Sequence, residues 1–300
     1  MIKAHQAPLQ IWITRLGIYV PVLVLAALMI VPYYWMAIGA FKSIPELKQV
    51  PPSLTIEDPT LNSFYDPVGL QPPDHVPGLF QLYPGTPGGF GRYYFNSVFV
   101  ATVNTVFGLL VASLSAYVLA KHRFPGRKVL FWIILGSMMI PWQVTLIPQF
   151  LIISEFGWLD SYWALIIPAI PRAFALFFLR QYMLSLPDEL IQAARVDGAG
   201  EFRIWWQMIV PLTGPAMVAM GIFMFLSEWN NLVWPLIVLQ SEQIRTLPIV
   251  LATMIDPYSA ATNQGVAMAA ALLVSIPTLL IFLVFQRQFV RGIALTGMKG

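Results

Sequence analysis

Residues 16–40, LGIYVPVLVLAALMIVPYYWMAIGA, run from Leu16 to Ala40 without one charged side chain. At a helical rise of 1.5 Å per residue such a run crosses the roughly 30 Å hydrocarbon core of a bilayer. It far exceeds the roughly 7 to 15 apolar residues at the centre of a cleaved leader, so it reads as a retained membrane anchor. Working outward, five more runs of suitable length lie at roughly 93–119, 129–153, 160–182, 212–240 and 266–289. Apolar residues make up 58% of the chain and charged residues 10%, too little polar surface for a soluble globule. The predicted fold is an all-α integral membrane protein with six transmembrane helices. Cysteine is absent, which excludes a disulfide framework, a thiolate metal site and a thiol nucleophile.

Lysine and arginine set the orientation. With the N-terminus inside, twelve of them fall on the inner side, from Lys3 and Arg15 through the Lys121 to Lys128 cluster to Lys299. Only Lys42, Lys48, Arg92 and Arg245 fall outside, and Arg172 lies within the fourth span. Both termini and the segment between the fourth and fifth spans are therefore predicted to be cytoplasmic. The long external connection, Lys42 to Arg92, carries ten prolines and the Gly88-Gly89 pair, which resist regular helix or sheet. Two readings stand for it: a solvated linker, or a cover for the outer mouth built from Phe64, Tyr65, Leu79, Phe80, Leu82 and Tyr83.

The cytoplasmic segment reads LPDELIQAARVDGAGEF from Leu186 to Phe202, followed by Trp205-Trp206 and Pro211. Pro187 suits a first helical turn, Asp188 and Glu189 complement the positive helix N-terminus, and Gly198 is placed to stop the helix. This predicts a short helix from Asp188 to Val196, with Leu190, Ala193, Ala194 and Asp197 on one side and the two alanines permitting close approach of another surface. A second helix, roughly Glu201 to Ile209, would place Phe202, Trp205, Trp206 and Ile209 together at the membrane interface.

Ala193-Ala194, two residues, Asp197-Gly198-Ala199, then Phe202 and Pro211-Leu212 before a span resemble the EAA loop of the membrane subunits of ATP-binding-cassette (ABC) importers. Gln192 stands where that family usually has Glu, and Glu189 lies about one turn away. Further along the chain, Asn96-Ser97, Ala116-Tyr117, Arg123-Phe124-Pro125-Gly126, Ile140-Pro141, Phe178-Leu179-Arg180-Gln181, Trp234-Pro235-Leu236, Thr246-Leu247-Pro248 and the terminal Gly297-Met298-Lys299-Gly300 resemble its carbohydrate permeases of the MalG type. The runs and the charges lay the chain out as a cytoplasmic tail 1–15, a first transmembrane helix 16–41, an external loop 42–92, a five-helix core 93–290 and a cytoplasmic tail 291–300, and the resemblance, which spans about Asn96 to Gly300, makes that core a permease core including a coupling loop 186–211. It also implies that Asp188, Glu189, Gln192, Ala193, Ala194, Asp197, Gly198 and Ala199 dock on a partner ATPase. The implied partners are a second homologous permease, two ATP-binding-cassette subunits and an external solute-binding protein, in a complex of the inner (cytoplasmic) membrane. ATP and Mg would be bound by the ATPase, with no cofactor in this chain.

Polar groups at membrane depth are candidates for a transport path, since a charge at the centre of a span costs roughly 2.5 to 3.5 kcal/mol even on the lenient insertion scale. Glu228, with Trp229, Asn230, Asn231 and Trp234, falls near the middle of the fifth run, where aromatic faces beside amide and carboxylate groups suit a sugar. Arg172 joins them from the fourth. The alternatives are that Arg172 and Glu228 pair inside the bundle or with a partner subunit, and that the tryptophans are packing. Pro141, Pro148, Pro168, Pro171, Pro215, Pro235 and Pro277 lie in or beside spans, as static bends or as parts of a gate. No Gly-Lys pair occurs, so no Gly-x-x-x-x-Gly-Lys phosphate loop is available and the chain is not the ATPase. His5, His75 and His122 are scattered, and no catalytic constellation emerges. The sequence thus points to a permease subunit of a carbohydrate ABC importer working by alternating access, with an ion-coupled secondary transporter, titrating at Glu228, as the alternative.

Overall fold

A computed structural model describes residues 8–64, 79–80, 89–254 and 260–297. Among these the chain is helical, and the one extended pairing is an isolated antiparallel bridge between Lys42 and Pro59. The helices are α1 (Pro8–Gly39), α2 (Ile44–Leu47), α3 (Gly89–Lys121), α4 (Arg127–Ser137), α5 (Trp142–Glu155), α6 (Tyr162–Ile166), α7 (Ala173–Leu184), α8 (Asp188–Val196), α9 (Glu201–Leu212), α10 (Gly214–Trp229), α11 (Val233–Val238), α12 (Leu247–Met254) and α13 (Ala260–Gly297). Four stretches are long and apolar enough to cross a membrane: Leu16–Gly39, Gly89–Lys121, Tyr162–Leu184 and Gln264–Gln286. The count rises to six if α4 with α5 and α9 with α10 each make one span, bent by 100° and 80°.

The first bend breaks the run read at 129–153 and the second falls at the start of the run read at 212–240, both beside prolines named as bends. Pro141 caps α5; its ring biases Ile140 away from helical backbone and it donates no hydrogen bond. At the second bend Pro215 opens α10, while the Thr213 hydroxyl donates back to the Ile209 carbonyl at 2.7 Å. The 212–240 run is also broken a second time. α10 ends at Trp229, where the Asn230 backbone N–H and side-chain amide both donate to the Leu226 carbonyl, and α11 begins afresh at Val233. Glu228 consequently sits in the last turn of a helix rather than in mid-span.

The chain divides into two units, residues 1–83 with 254–273 and residues 84–253 with 274–300. In the first, α1 is apolar from Leu16 onward, exposed to Tyr34, half-buried from Trp35 to Ala37 and buried from Ile38. Gly39 meets α13 so closely that a Cβ there would lie 2.1 Å from the Met268 sulfur. The stretch after α1 is folded where a linker was one expectation. Lys42 Nζ donates to the Ser53 carbonyl and hydroxyl at 2.5 and 2.7 Å and lies 3.4 Å from Glu46, which also accepts the Glu57 N–H. Phe64 rests against Phe41, and Leu79 is fully buried. Tyr65, Leu82 and Tyr83 lie outside the described residues, as do Lys3, His5, His75 and residues 298–300.

In the second unit α3 is the axis on which α7 and α10 pack. Lipid offers no hydrophobic drive for helix pairing, so close backbone approach has to supply the contact. Small residues provide it: Ala112, Ala116 and Ala175 are buried in one cluster with Leu179 and Met220. A Cβ on Gly108 would stand 2.5 Å from Met224 Cε, and one on Gly221 would stand 3.0 Å from Leu109.

Candidate functional site

Twenty residues separate Ser97 from Tyr117, or about 30 Å of α3, close to the thickness of the hydrocarbon core. Each end of α3 gathers a polar cluster, and a third lies between them.

At the Ser97 end, the Asn96 amide donates to the carbonyls of Gln243 and Arg245 and accepts from the Tyr162 hydroxyl, while the Ser97 hydroxyl accepts the Leu247 N–H. About 10 Å further along α3, Asn104 is fully buried and donates to both the Leu165 carbonyl and Glu228 Oε2, at 3.1 and 3.0 Å. Arg172, just before α7, bonds to Glu228 Oε1 and donates from Nε to the Ala169 carbonyl. Of the alternatives weighed for Arg172 and Glu228, pairing with each other inside the bundle is the one formed, with Asn104 as an unforeseen third member. Glu228 is 5% exposed and Arg172 32%.

Beside this triad opens a cleft of about 540 Å³. α5 lines it with Trp142, Thr145 and Gln149, which share a helical face by their spacing. Asn230, Asn231 and Trp234 line it as well, the Trp234 indole being held by a bond to the Ala164 carbonyl. Thr246, 4% exposed, also lines the cleft, and its hydroxyl has no hydrogen-bond partner. Trp229 does not join this group. It is buried on the far side of the α10 terminus, donating to the Val274 carbonyl, with Tyr94 edge-on and Phe225 stacked. Of the residues missed from the sequence, Asn104, Trp142, Thr145, Gln149 and Thr246, those of α5 left a usable signal: Thr145 and Gln149 are polar side chains at helical spacing inside an apolar run.

At the other end of α3 lies α8, with the bounds expected for it. Gly198 ends it at φ +80°, a backbone that a side chain would strain, and Ala199 N–H closes the turn on the Ala194 carbonyl. Its faces differ from the expected grouping. Ile191 and Ala194 turn into the chain's own core against α3 and α7, whereas Asp188, Glu189, Gln192, Ala193, Asp197 and Gly198 are exposed and Ala199 is half-buried. Lys121, at the end of α3, donates to the Leu186 carbonyl and to Asp188, both at 2.6 Å. That bond holds the Asp188 carboxyl below its ordinary range. Glu201 accepts from the Tyr117 hydroxyl at 2.6 Å and from Arg195 at 2.7 Å, and its Oε2 lies 3.1 Å from His122 Nε2. In α9 the backbone widens to π-helical winding over Trp205–Ile209. This shift buries Trp205 and Ile209 but leaves Phe202 and Trp206 outside, so the four do not form one face.

Residues 104–295 match the family described as binding-protein-dependent transport system inner membrane component. The arabinooligosaccharides transport system permease protein AraQ of Bacillus subtilis is 35% identical over 293 residues, covering 97% of this chain and 98% of the relative. AraQ of Halalkalibacterium halodurans is 39% identical over 71% of this chain and 76% of its own. The sn-glycerol-3-phosphate transport system permease protein UgpE of Yersinia enterocolitica is 37% identical over 68% of this chain and 73% of its own. A solved chain of a bacterial ABC transporter involved in the import of the acidic polysaccharide alginate has the same fold, with a TM-score of 0.77 and 23% identity over 92% of this chain and 96% of that one. An all-helical chain with up to six spans, matched along nearly its whole length by a named permease, belongs to the family of inner membrane components of binding-protein-dependent transport systems.

Proposed function

We propose that this chain is one permease subunit of an ATP-driven importer, translocating a carbohydrate handed over by an external solute-binding protein through alternating access. The observation that carries the reading is the arrangement on α3, a single rod with a solvent-facing helix, α8, at one end and a polar cleft about 20 Å away. Closure of an ATPase pair against α8 would be transmitted along α3 through Lys121 and Glu201 to the helix ends that frame the cleft. In this arrangement Asp188, Glu189, Gln192, Ala193, Asp197 and Gly198 meet the ATPase, and Ala194 and Ala199 support them from behind. ATP and Mg belong to that partner, present twice, and a second homologous permease completes the channel.

Each bent pair is then one span, giving six, and the α8 end is cytoplasmic. The cations Lys121, Arg123, Arg127 and Lys128 near that end support this orientation, which puts both termini inside and the 42–92 loop outside the inner membrane. The cleft with Arg172, Glu228, Asn230, Asn231 and Trp234 is the substrate path, and Trp229 is its packing support. A carbohydrate is supported by the relatives named for arabinooligosaccharides and by indole faces beside amides. Family membership weighs against the ion-coupled alternative. In proteoliposomes holding the complete complex, uptake should require ATP and persist when proton and sodium gradients are collapsed. Uptake by this chain alone, driven by an ion gradient, would refute the proposal.

A further inference from the structure

We infer that the cleft selects neutral, polyhydroxylated ligands and turns away anionic ones, an inference that rests on the cleft being the substrate path. Among the described residues Arg172 and Glu228 are the charged side chains lining it, and each is committed to the other. The guanidinium is further engaged by the Ala169 carbonyl, and the second carboxylate oxygen by Asn104. A carboxylate or phosphate entering the cleft would have to draw Arg172 away from Glu228. Glu228, almost wholly buried, would then be left without its cation and beside a second negative charge. The exchange replaces one ion pair with another while adding a repulsion and an uncompensated buried charge, so it runs against anion binding.

A neutral ligand meets the opposite conditions. The cleft is lined by Thr145 and by the amide side chains of Gln149 and Asn231, with Ser97 and Thr246 in its wall. The Asn231 and Gln149 amides and the Thr145 hydroxyl can each exchange hydrogen bonds with a ligand hydroxyl without giving up a charge. Trp142 and Trp234 supply the flat apolar faces against which the C–H side of a sugar ring packs. Arg172 is thus an internal counter-ion, and selectivity is carried by the carboxylate that occupies it.

The test is equilibrium binding to the full chain in its assembled complex, in lipid nanodiscs without the solute-binding protein, so that the cleft's own preference is read. The probes are radiolabelled arabinotriose and maltotriose as neutral trimers, and trigalacturonate as the anionic one. At least one neutral trimer should bind about tenfold or more tighter than trigalacturonate. Glu228→Gln frees Arg172 and should tighten trigalacturonate about tenfold, the worth of one charge-assisted contact. Adding Arg172→Gln should abolish that gain, which separates a true counter-ion effect from misfolding. Wild-type binding of trigalacturonate as tight as that of the neutral trimers overturns the inference while leaving the path in place. Failure of both neutral trimers to bind the wild-type complex removes the path itself, and the inference with it.

Discussion

Two carboxylates hang on partners from α3, and they are held in opposite ways. Glu201, 47% exposed, is shared among Arg195, His122 and Tyr117 at the α8 end. Glu228, nearly ten times less exposed, has Arg172 and Asn104. Water can replace any one of the Glu201 partners, so that network can loosen and re-form at small cost, as a joint between moving parts must. Nothing on hand can replace a partner of Glu228, because a buried charge that loses its counter-ion keeps the full penalty of its desolvation. The α8 cluster can give way and re-form, whereas the cleft cluster holds its shape.

That contrast breaks first at Arg172. Arg172→Ala should lower the unfolding free energy of the purified chain by about 3 kcal/mol, as removal of one member of a buried pair does. Replacing both partners, Arg172→Leu with Glu228→Leu, should cost clearly less than the single change, because no lone charge remains. The corresponding Arg195→Ala change, at an exposed pair, should cost about 1 kcal/mol or less. Denaturant-induced unfolding in mild detergent measures all three. A smaller loss for Arg172→Ala than for Arg195→Ala would reverse the assignment of the two clusters.

The same contrast explains what could be read from the residues alone. α8 is specified locally: Pro187, two acids in the first turn and a glycine stop lie within a dozen residues, so its bounds were legible. The cleft draws on Ser97, Thr145, Arg172, Glu228 and Thr246 from well-separated stretches, and only packing decides which of them meet. Arg172 and Glu228 stood out because charge is rare at that depth, whereas Asn104 did not, since a lone amide in an apolar run carries no address. The bends at Pro141 and Pro215 were visible as prolines but not as angles, because neighbouring contacts set how far a helix turns. Trp229 and Trp234 looked alike, five residues apart, until the break at Asn230 sent one into packing and the other into the cleft.

Two adjacent alanines sharpen the comparison from the α8 side. Ala194 faces the core and Ala193 faces out. Ala194→Trp overfills a packed site beside Ile191 and should lower stability by about 1 to 3 kcal/mol. Ala193→Trp should leave the unfolding midpoint unchanged and yet reduce copurification of the ATPase with the chain. If Ala193→Trp proves as destabilising as Ala194→Trp, the faces of α8 are assigned wrongly. If neither variant weakens copurification, α8 is not the dock.

The smallest effect tests how α8 is tethered to α3. Lys121, almost fully buried, is bonded to Asp188, which is 68% exposed, and this holds the Asp188 carboxyl below its ordinary range. A depressed carboxylate stabilises the folded form above its unfolded pKa of about 3.9, and that contribution fades as pH falls through the lower, folded value. The tether should thus be at full strength at neutral pH and weaken in the acid range below about pH 4. Because the Asp188 side chain is largely in water, the change should be confined to α8 and should be small beside the loss at Arg172. Hydrogen-exchange protection factors report it: protection of α8 relative to α7 should fall on acidification in the wild type and fall less in Asp188→Asn, where the bond of Arg195 to Glu201 is the acid-sensitive tie that remains. Identical acid profiles in the two proteins would show that Lys121 steadies α8 through the Leu186 carbonyl alone.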